Sequence, residues 1–235
     1  MSDTVKFKIS SALKNLIGKE LITDQYIAIF ELVKNSFDAY ANNVKITFKD
    51  IYTDHPKIII EDDGKGMDFH DLINKWLFVA YSAKQDGTED IENTGDPKSS
   101  RNDYRSKIKN KRIFAGAKGV GRFSCDRLGS SLNLITRKNN PDSIIENIRI
   151  DWEDFEQDSK KEFVDVELFH QVIQDTQMKF KHGTILEISN LRDQWNRESL
   201  KKLKRSLQKL INPNQENDVS AFSIEIIAEE EREND

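Results

Sequence analysis

The chain has 235 residues, 37% of them apolar and 33% charged, with a formal net charge of −5. That length suits one hydrophobic core, so residues 1–235 are expected to form a single domain, and the acidic balance gives no global argument for nucleic-acid binding. No apolar run approaches the ~20 residues of a membrane-spanning helix, and the first ten residues lack the pattern of a signal peptide. The single cysteine, Cys125, excludes an internal disulfide and suits a reducing cytoplasm. His55, His70, His170 and His182 are scattered singly, with no metal-binding spacing.

In chain order, Thr23 to Tyr40 has no Gly or Pro and repeats apolar residues at helical spacing (Tyr26, Phe30, Val33, Phe37), which predicts a long helix. Asn43 to Lys49 alternates Val44, Ile46 and Phe48, as a strand does. Lys57 to Glu61 reads as a second strand, ended by the turn Asp63-Gly64-Lys65-Gly66, and Asp68 is placed to cap a short helix reaching about Phe78. From Ser82 to Arg112 apolar periodicity fades, acidic residues giving way to basic ones; a loop this long inside a domain is functional or disordered, and its place between motif-bearing segments favours a mobile lid, about 82–118. Gly116 to Gly121 then leads into a helix ending near Gly129. Strand-like segments near 131–137, 144–151, 163–172 and 183–189 have the rhythm of an antiparallel meander. Leu200, Leu203, Leu207 and Leu210 mark an amphipathic helix with a basic outer face, and Ala221 to Ile227 reads as a last strand. The expected architecture is α+β, a two-layer sandwich of helices on one face of a mixed, mainly antiparallel sheet.

Four local patterns carry chemistry. Glu31, Asn35 and Asp38 fall at i, i+4 and i+7, a polar stripe on an otherwise apolar helix; solvent exposure or capping would explain such a stripe equally well. Asp62 ends an apolar strand before Gly64, Gly66 and Met67, where a carboxylate can accept from a ligand's amino group; taken alone, a tight turn explains it better. Gly116 to Gly121 joins a helix start, a source of free N–H groups for an anion, but lacks the Lys-Ser/Thr pair of a Walker A loop. Gly183-Thr184 opens a strand and means nothing by itself.

Together, in this order, the four resemble the GHKL (gyrase, heat-shock chaperone, histidine kinase, MutL) ATPase family with its Bergerat fold. The motifs read Glu31-Leu-Val-Lys-Asn35-Ser-Phe-Asp38-Ala39, Asp62-Asp-Gly64-Lys-Gly66-Met67, Gly116-x-x-Gly119-x-Gly121 and Gly183-Thr184, with Tyr81-Ser82-Ala83-Lys84 similar to the turn opening the family's ATP lid. The resemblance implies ATP and Mg²⁺ as ligands. Asp62 would bind the adenine amino group, supported by Thr184, and Asn35 would be the side-chain ligand of Mg²⁺. Gly119, Gly121 and neighbouring N–H groups (Val120, Arg122, Phe123) would hold phosphates, with Lys118 adding charge there; Lys84 and Arg122 would be further cations or, equally well, solvated surface charges. Glu31 would orient and deprotonate the attacking water.

Glu31 followed by Asp38-Ala39 looks more like the chaperone, MutL and MORC side than the sensor kinases, and no phospho-accepting His segment is visible. That side of the family dimerises with nucleotide, so a homodimer is implied. It also takes a γ-phosphate cation from a following domain, which implies that the chain is the N-terminal part of a longer protein, turning over ~10³-fold or more below it. The expected protein is thus a slow cytoplasmic ATPase with no membrane attachment. Two alternatives are a histidine sensor-kinase catalytic domain, or an ATP-gated nucleic-acid module using its basic stretches, for which a solvated face is the simpler explanation.

Overall fold

The computed structural model describes residues 9–15, 22–79, 121–158, 162–174, 176, 178–208 and 222–231. A single turn, α1 (Leu13–Asn15), precedes the long helix α2 (Gln25–Asp38), whose N-cap Asp24 accepts from the N–H groups of Tyr26 and Ile27. Strands β1 (Asn43–Lys49) and β2 (Lys57–Asp62) follow, then α3 (Phe69–Asp71), which runs on as a π-helical turn, Leu72–Trp76. After the undescribed stretch come a 3₁₀ turn (Gly121–Phe123), α4 (Ser124–Leu128), β3 (Gly129–Arg137) and β4 (Ile145–Asp151). Strand β5 (Phe169–Ile173), strand β6 (Gly183–Leu191), helix α5 (Arg197–Leu207) and strand β7 (Ser223–Ala228) complete the order.

The seven strands form one sheet in the order β5-β4-β3-β6-β2-β1-β7, antiparallel except where β7 lies parallel to β1. Residues directly opposite each other share a face. One face is therefore built from rows such as Ile46↔Ile60↔Leu186↔Leu134↔Ile148 and Phe48↔Ile58↔Ile188↔Leu132↔Ile150. These side chains join one core with Ala28, Ile29, Leu32 and Val33 of α2, Cys125 and Leu128 of α4, and Leu200, Leu203 and Leu207 of α5. The opposite face is polar, crossed by the ion pairs Lys45–Glu61 (2.9 Å) and Lys57–Glu187 (2.6 Å). This is the expected α+β two-layer arrangement, helices on one face of a mixed sheet. Among the described residues no helix is long and apolar enough to cross a membrane.

Two local expectations change. The meander is broken, because β6 returns between β3 and β2 instead of pairing with β5. The 163–172 segment is strand only in Phe169–Ile173; its start, Phe163–Asp165, is a 3₁₀ turn whose phenylalanine packs against Phe123 and Phe155 (ring centroids 6.4 and 5.1 Å). Local residue type fitted a strand, and the aromatic packing favoured a turn. On α5 the basic face is exposed at Lys201, Lys202, Lys204 and Arg205, opposite its three buried leucines.

Candidate nucleotide site

The site is built where α2 crosses the ends of β2 and β6. Asp62, last in β2, lies opposite Thr184 in β6, and the next residue in the same row is Thr136 of β3. Ser36 of α2 donates its hydroxyl to Asp62 Oδ2 (2.8 Å), and the Gly64 N–H donates to Oδ1 (2.9 Å). Enclosure pushes the Asp62 carboxyl up to about 6, against hydrogen bonds from Ser36 and the backbone of Gly64 and Thr184 that favour its charge. All three donors are neutral. The next carboxylate, Asp63, faces outward: burial acts to raise its pKa, but bonds from Asn43 and Asn42 outweigh this and hold it below the usual range.

Thr136 ties this corner together. Its Oγ1 lies 3.2 Å from Thr184 Oγ1, bonds the Gly183 carbonyl (2.9 Å) and accepts the Met67 N–H (3.0 Å). His182 Nδ1 lies 2.9 Å from the Gly64 carbonyl. Gly183 has φ +113°, and a Cβ there would stand 1.9 Å from the Asp62 carbonyl oxygen, so the strand opening needs glycine on both grounds. The Gly66 Cα faces the Arg137 carbonyl.

Along α2 the polar stripe runs from surface to interior. Glu31 is partly exposed and pairs with Lys34 (2.9 Å); Asn35 is half-buried; Asp38 is 1% exposed. Gly121 packs against Asn35, where a Cβ would lie 3.1 Å from the side-chain amide, so the first and third motifs meet. Arg122 turns away from this point. Its Nη1 donates to the carbonyls of Lys75 (2.9 Å), Trp76 and Phe78 (3.1 Å). Phe123 is a core residue, with its ring against Trp152 and Phe163. Lys84, Lys118, Gly119 and Val120, with the rest of the expected lid, lie outside the described residues.

The described residues thus bring together Asp62, Gly64, Gly66, Met67 and Thr184 at one end, and Asn35 and Gly121 at the other, with Glu31 further along α2. A family model described as "Histidine kinase-, DNA gyrase B-, and HSP90-like ATPase" matches residues 23–184, a span that holds all four motifs. The chain belongs to this ATPase family. A search of curated proteins gave no match to the chain. Membership supports ATP binding by an ATPase-type domain, and the geometry fits that ligand class. A carboxylate with neutral donors at its back can accept from an adenine amino group, and Gly121 leaves room beside the Asn35 amide. An amide oxygen backed by phosphate oxygens and water also suits the all-oxygen shell that Mg²⁺ takes.

Sequence reasoning missed Ser36 and Thr136, hydroxyls that hold Asp62 and Thr184 in place. Ser36 adjoins Asn35 on the buried side of α2, and that placement was the one available signal. Two other features carry less. Asp68, His70 and Asp71 lie within 4.8 Å of one another, but the two carboxylates already hold Lys138 (2.7 and 2.9 Å) and Asp71 also holds Lys75 (2.9 Å). A groove of about 530 Å³ opens on the polar face of the sheet, between Ser131, Asn133, Arg149 and Glu187. Two of its charges are engaged, Glu187 by Lys57 and Arg149 over the Phe169 ring (5.3 Å).

Proposed function

We propose that the domain binds Mg-ATP and hydrolyses it slowly to ADP and phosphate, with nucleotide occupancy acting as a conformational or dimerisation switch. The observation that carries this reading is the Asp62 corner, a carboxylate backed by neutral donors and facing Thr184, joined along α2 to Asn35 and Gly121. In it, Asp62 accepts from the adenine amino group, and Thr184 and Thr136 fix the direction of that bond. Asn35 would be the one side-chain ligand of Mg²⁺, which when bound would offset the negative charge of the phosphates. Glu31 orients a water and takes its proton. Because Glu31 shares its carboxylate with Lys34, proton transfer competes with that ion pair, and turnover is slow. In this proposal the chain falls on the chaperone, MutL and MORC side of the family, a reading supported by Glu31 with Asp38-Ala39.

The test separates binding from chemistry. Glu31→Ala should keep affinity for a non-hydrolysable ATP analogue and lose roughly 10²–10⁴-fold in phosphate release, the range of a general base. Asn35→Ala should lose the Mg²⁺-dependent part of affinity. Undiminished hydrolysis in Glu31→Ala, or unchanged Mg²⁺ dependence in Asn35→Ala, would remove that residue from its role. Transfer of the γ-phosphate to a histidine instead of water would favour the sensor-kinase alternative.

A further inference from the structure

The segment following the second motif is held at both ends by parts of the candidate site. At its start the Met67 N–H donates to Thr136 Oγ1 (3.0 Å), the hydroxyl that also touches Thr184. A capping box between Asp68 and Asp71 then starts α3, and Lys138 bonds both carboxylates (2.7 and 2.9 Å). Leu72 is fully buried. At the far end the π-helical turn stops, and a helix end leaves carbonyls without intrahelical partners. Two of these, on Lys75 and Trp76, together with the carbonyl of Phe78 just beyond the turn, converge on one nitrogen of Arg122. A cation at a helix C-terminus is favourable, and a guanidinium can serve several acceptors from one fixed position. Arg122 directly follows Gly121, the residue packed on Asn35.

We propose that Arg122 is a positioning residue that clamps the 72–78 backbone to the third motif, so that the adenine end and the phosphate end of the site are mechanically coupled. The proposal rests on the nucleotide-site reading above and differs from the usual expectation for a cation beside a glycine-rich motif. Arg122 acts on the protein's own carbonyls. A change at Gly121 and Asn35 reaches Met67 and Thr136 through ten residues of anchored backbone, and the reverse holds equally.

The test is hydrogen exchange by mass spectrometry on wild type, Arg122→Ala and Arg122→Lys, each without nucleotide and with a non-hydrolysable Mg-ATP analogue. Without nucleotide, Arg122→Ala should raise exchange in 72–79 roughly tenfold or more, with β2 and β6 unchanged as a check that the fold persists. With the analogue, wild type should gain protection in 72–79, and Arg122→Ala should lose that gain even at saturating ligand. Lysine keeps the charge and N–H donors but not the fixed guanidinium geometry, so it should restore part of both effects. If the alanine variant does not fold, the lysine variant carries the comparison alone, with an intermediate rise in 72–79. Unchanged exchange in 72–79 without nucleotide would overturn the clamp. So would reduced affinity with normal ligand-induced protection, the pattern of a direct phosphate ligand. Failure of wild type to bind the analogue would sink the nucleotide-site reading and the coupling with it, while the nucleotide-free comparison still decides the clamp.

Discussion

Two enclosed carboxylates, one on a helix and one at a strand end, are treated in opposite ways. Asp126, on α4, is fully buried and carries two cations, Lys14 Nζ at 3.5 Å and Arg192 Nη2 at 2.7 Å. Lys14 is itself 0% exposed and also bonds Glu156 (2.5 Å) and the Trp152 carbonyl (3.0 Å), which fastens the single turn α1 to the body. Asp62 has no cation within ion-pair distance among the described residues, only a hydroxyl and two backbone N–H groups. In the proposed reading, the difference separates structure from function. A buried charge that serves the fold is neutralised by the fold, because leaving it unpaired costs several kcal/mol. A carboxylate given orientation but no counter-charge retains its capacity to accept from something else.

Breaking the neutralised side should have the largest effect on stability. Lys14→Met removes one cation of the Asp126 network and should cost about 3–5 kcal/mol, a drop of roughly 6–20 °C in melting temperature, with nucleotide affinity little changed in the surviving folded protein. A double variant with Asp126→Asn should cost less than the sum of the singles, since they share one interaction.

Crowding the uncompensated side comes next. Gly183→Ala places a Cβ against the Asp62 carbonyl in a backbone conformation that L-residues rarely adopt, for about 2–3 kcal/mol. It should weaken nucleotide binding as well, because the Asp62–Thr184 pairing is what it displaces; a thermal melt and a titration read the two effects separately.

The smallest effect is the one with a definite sign. Asp62 has its carboxyl raised to about 6 in the folded protein, above the ordinary 3.8. The folded state therefore binds the extra proton between those values, and its stability falls as pH rises from about 4 to about 6. Comparing wild type with Asp62→Asn by melting temperature over pH 4 to 7 should show wild type losing roughly 1–3 kcal/mol relative to the variant across that window. Parallel curves would mean that the carboxyl is not held in its uncharged form by enclosure.

Much of this arrangement could be read from the chain because it is local. The i, i+4 spacing in α2 and the alternation of Val44, Ile46 and Phe48 are set by helix and strand periods, which act over a few residues. Asp62, Gly64 and Thr184 were visible only through the resemblance of the four motifs taken in order, since each alone had an ordinary reading. What was not visible depends on contacts across the fold. The return of β6 between β2 and β3 brings Thr184 to Asp62 and Thr136 to Thr184, and no local pattern in residues 131–191 encodes that order. Ser36 and Thr136 gave no signal because a hydroxyl in a helix or strand has many ordinary uses. Arg122 next to a glycine-rich turn read as a phosphate-side cation or a surface charge; the carbonyls of Lys75, Trp76 and Phe78 that its Nη1 meets are 44 or more residues away in sequence, beyond any local pattern.

The most direct test of the central claim is calorimetric titration with a non-hydrolysable ATP analogue, with and without Mg²⁺, on wild type and Asp62→Asn. The account predicts Mg²⁺-dependent binding by wild type and loss of roughly 100-fold or more in the variant, whose amide can set a donor against the adenine amino group. The variant should remain folded, with a melting temperature at neutral pH no lower than wild type's. Equal affinity in the two proteins would contradict the assignment of Asp62 as the nucleotide-facing carboxylate, and with it the reading of this corner as the adenine end of the site.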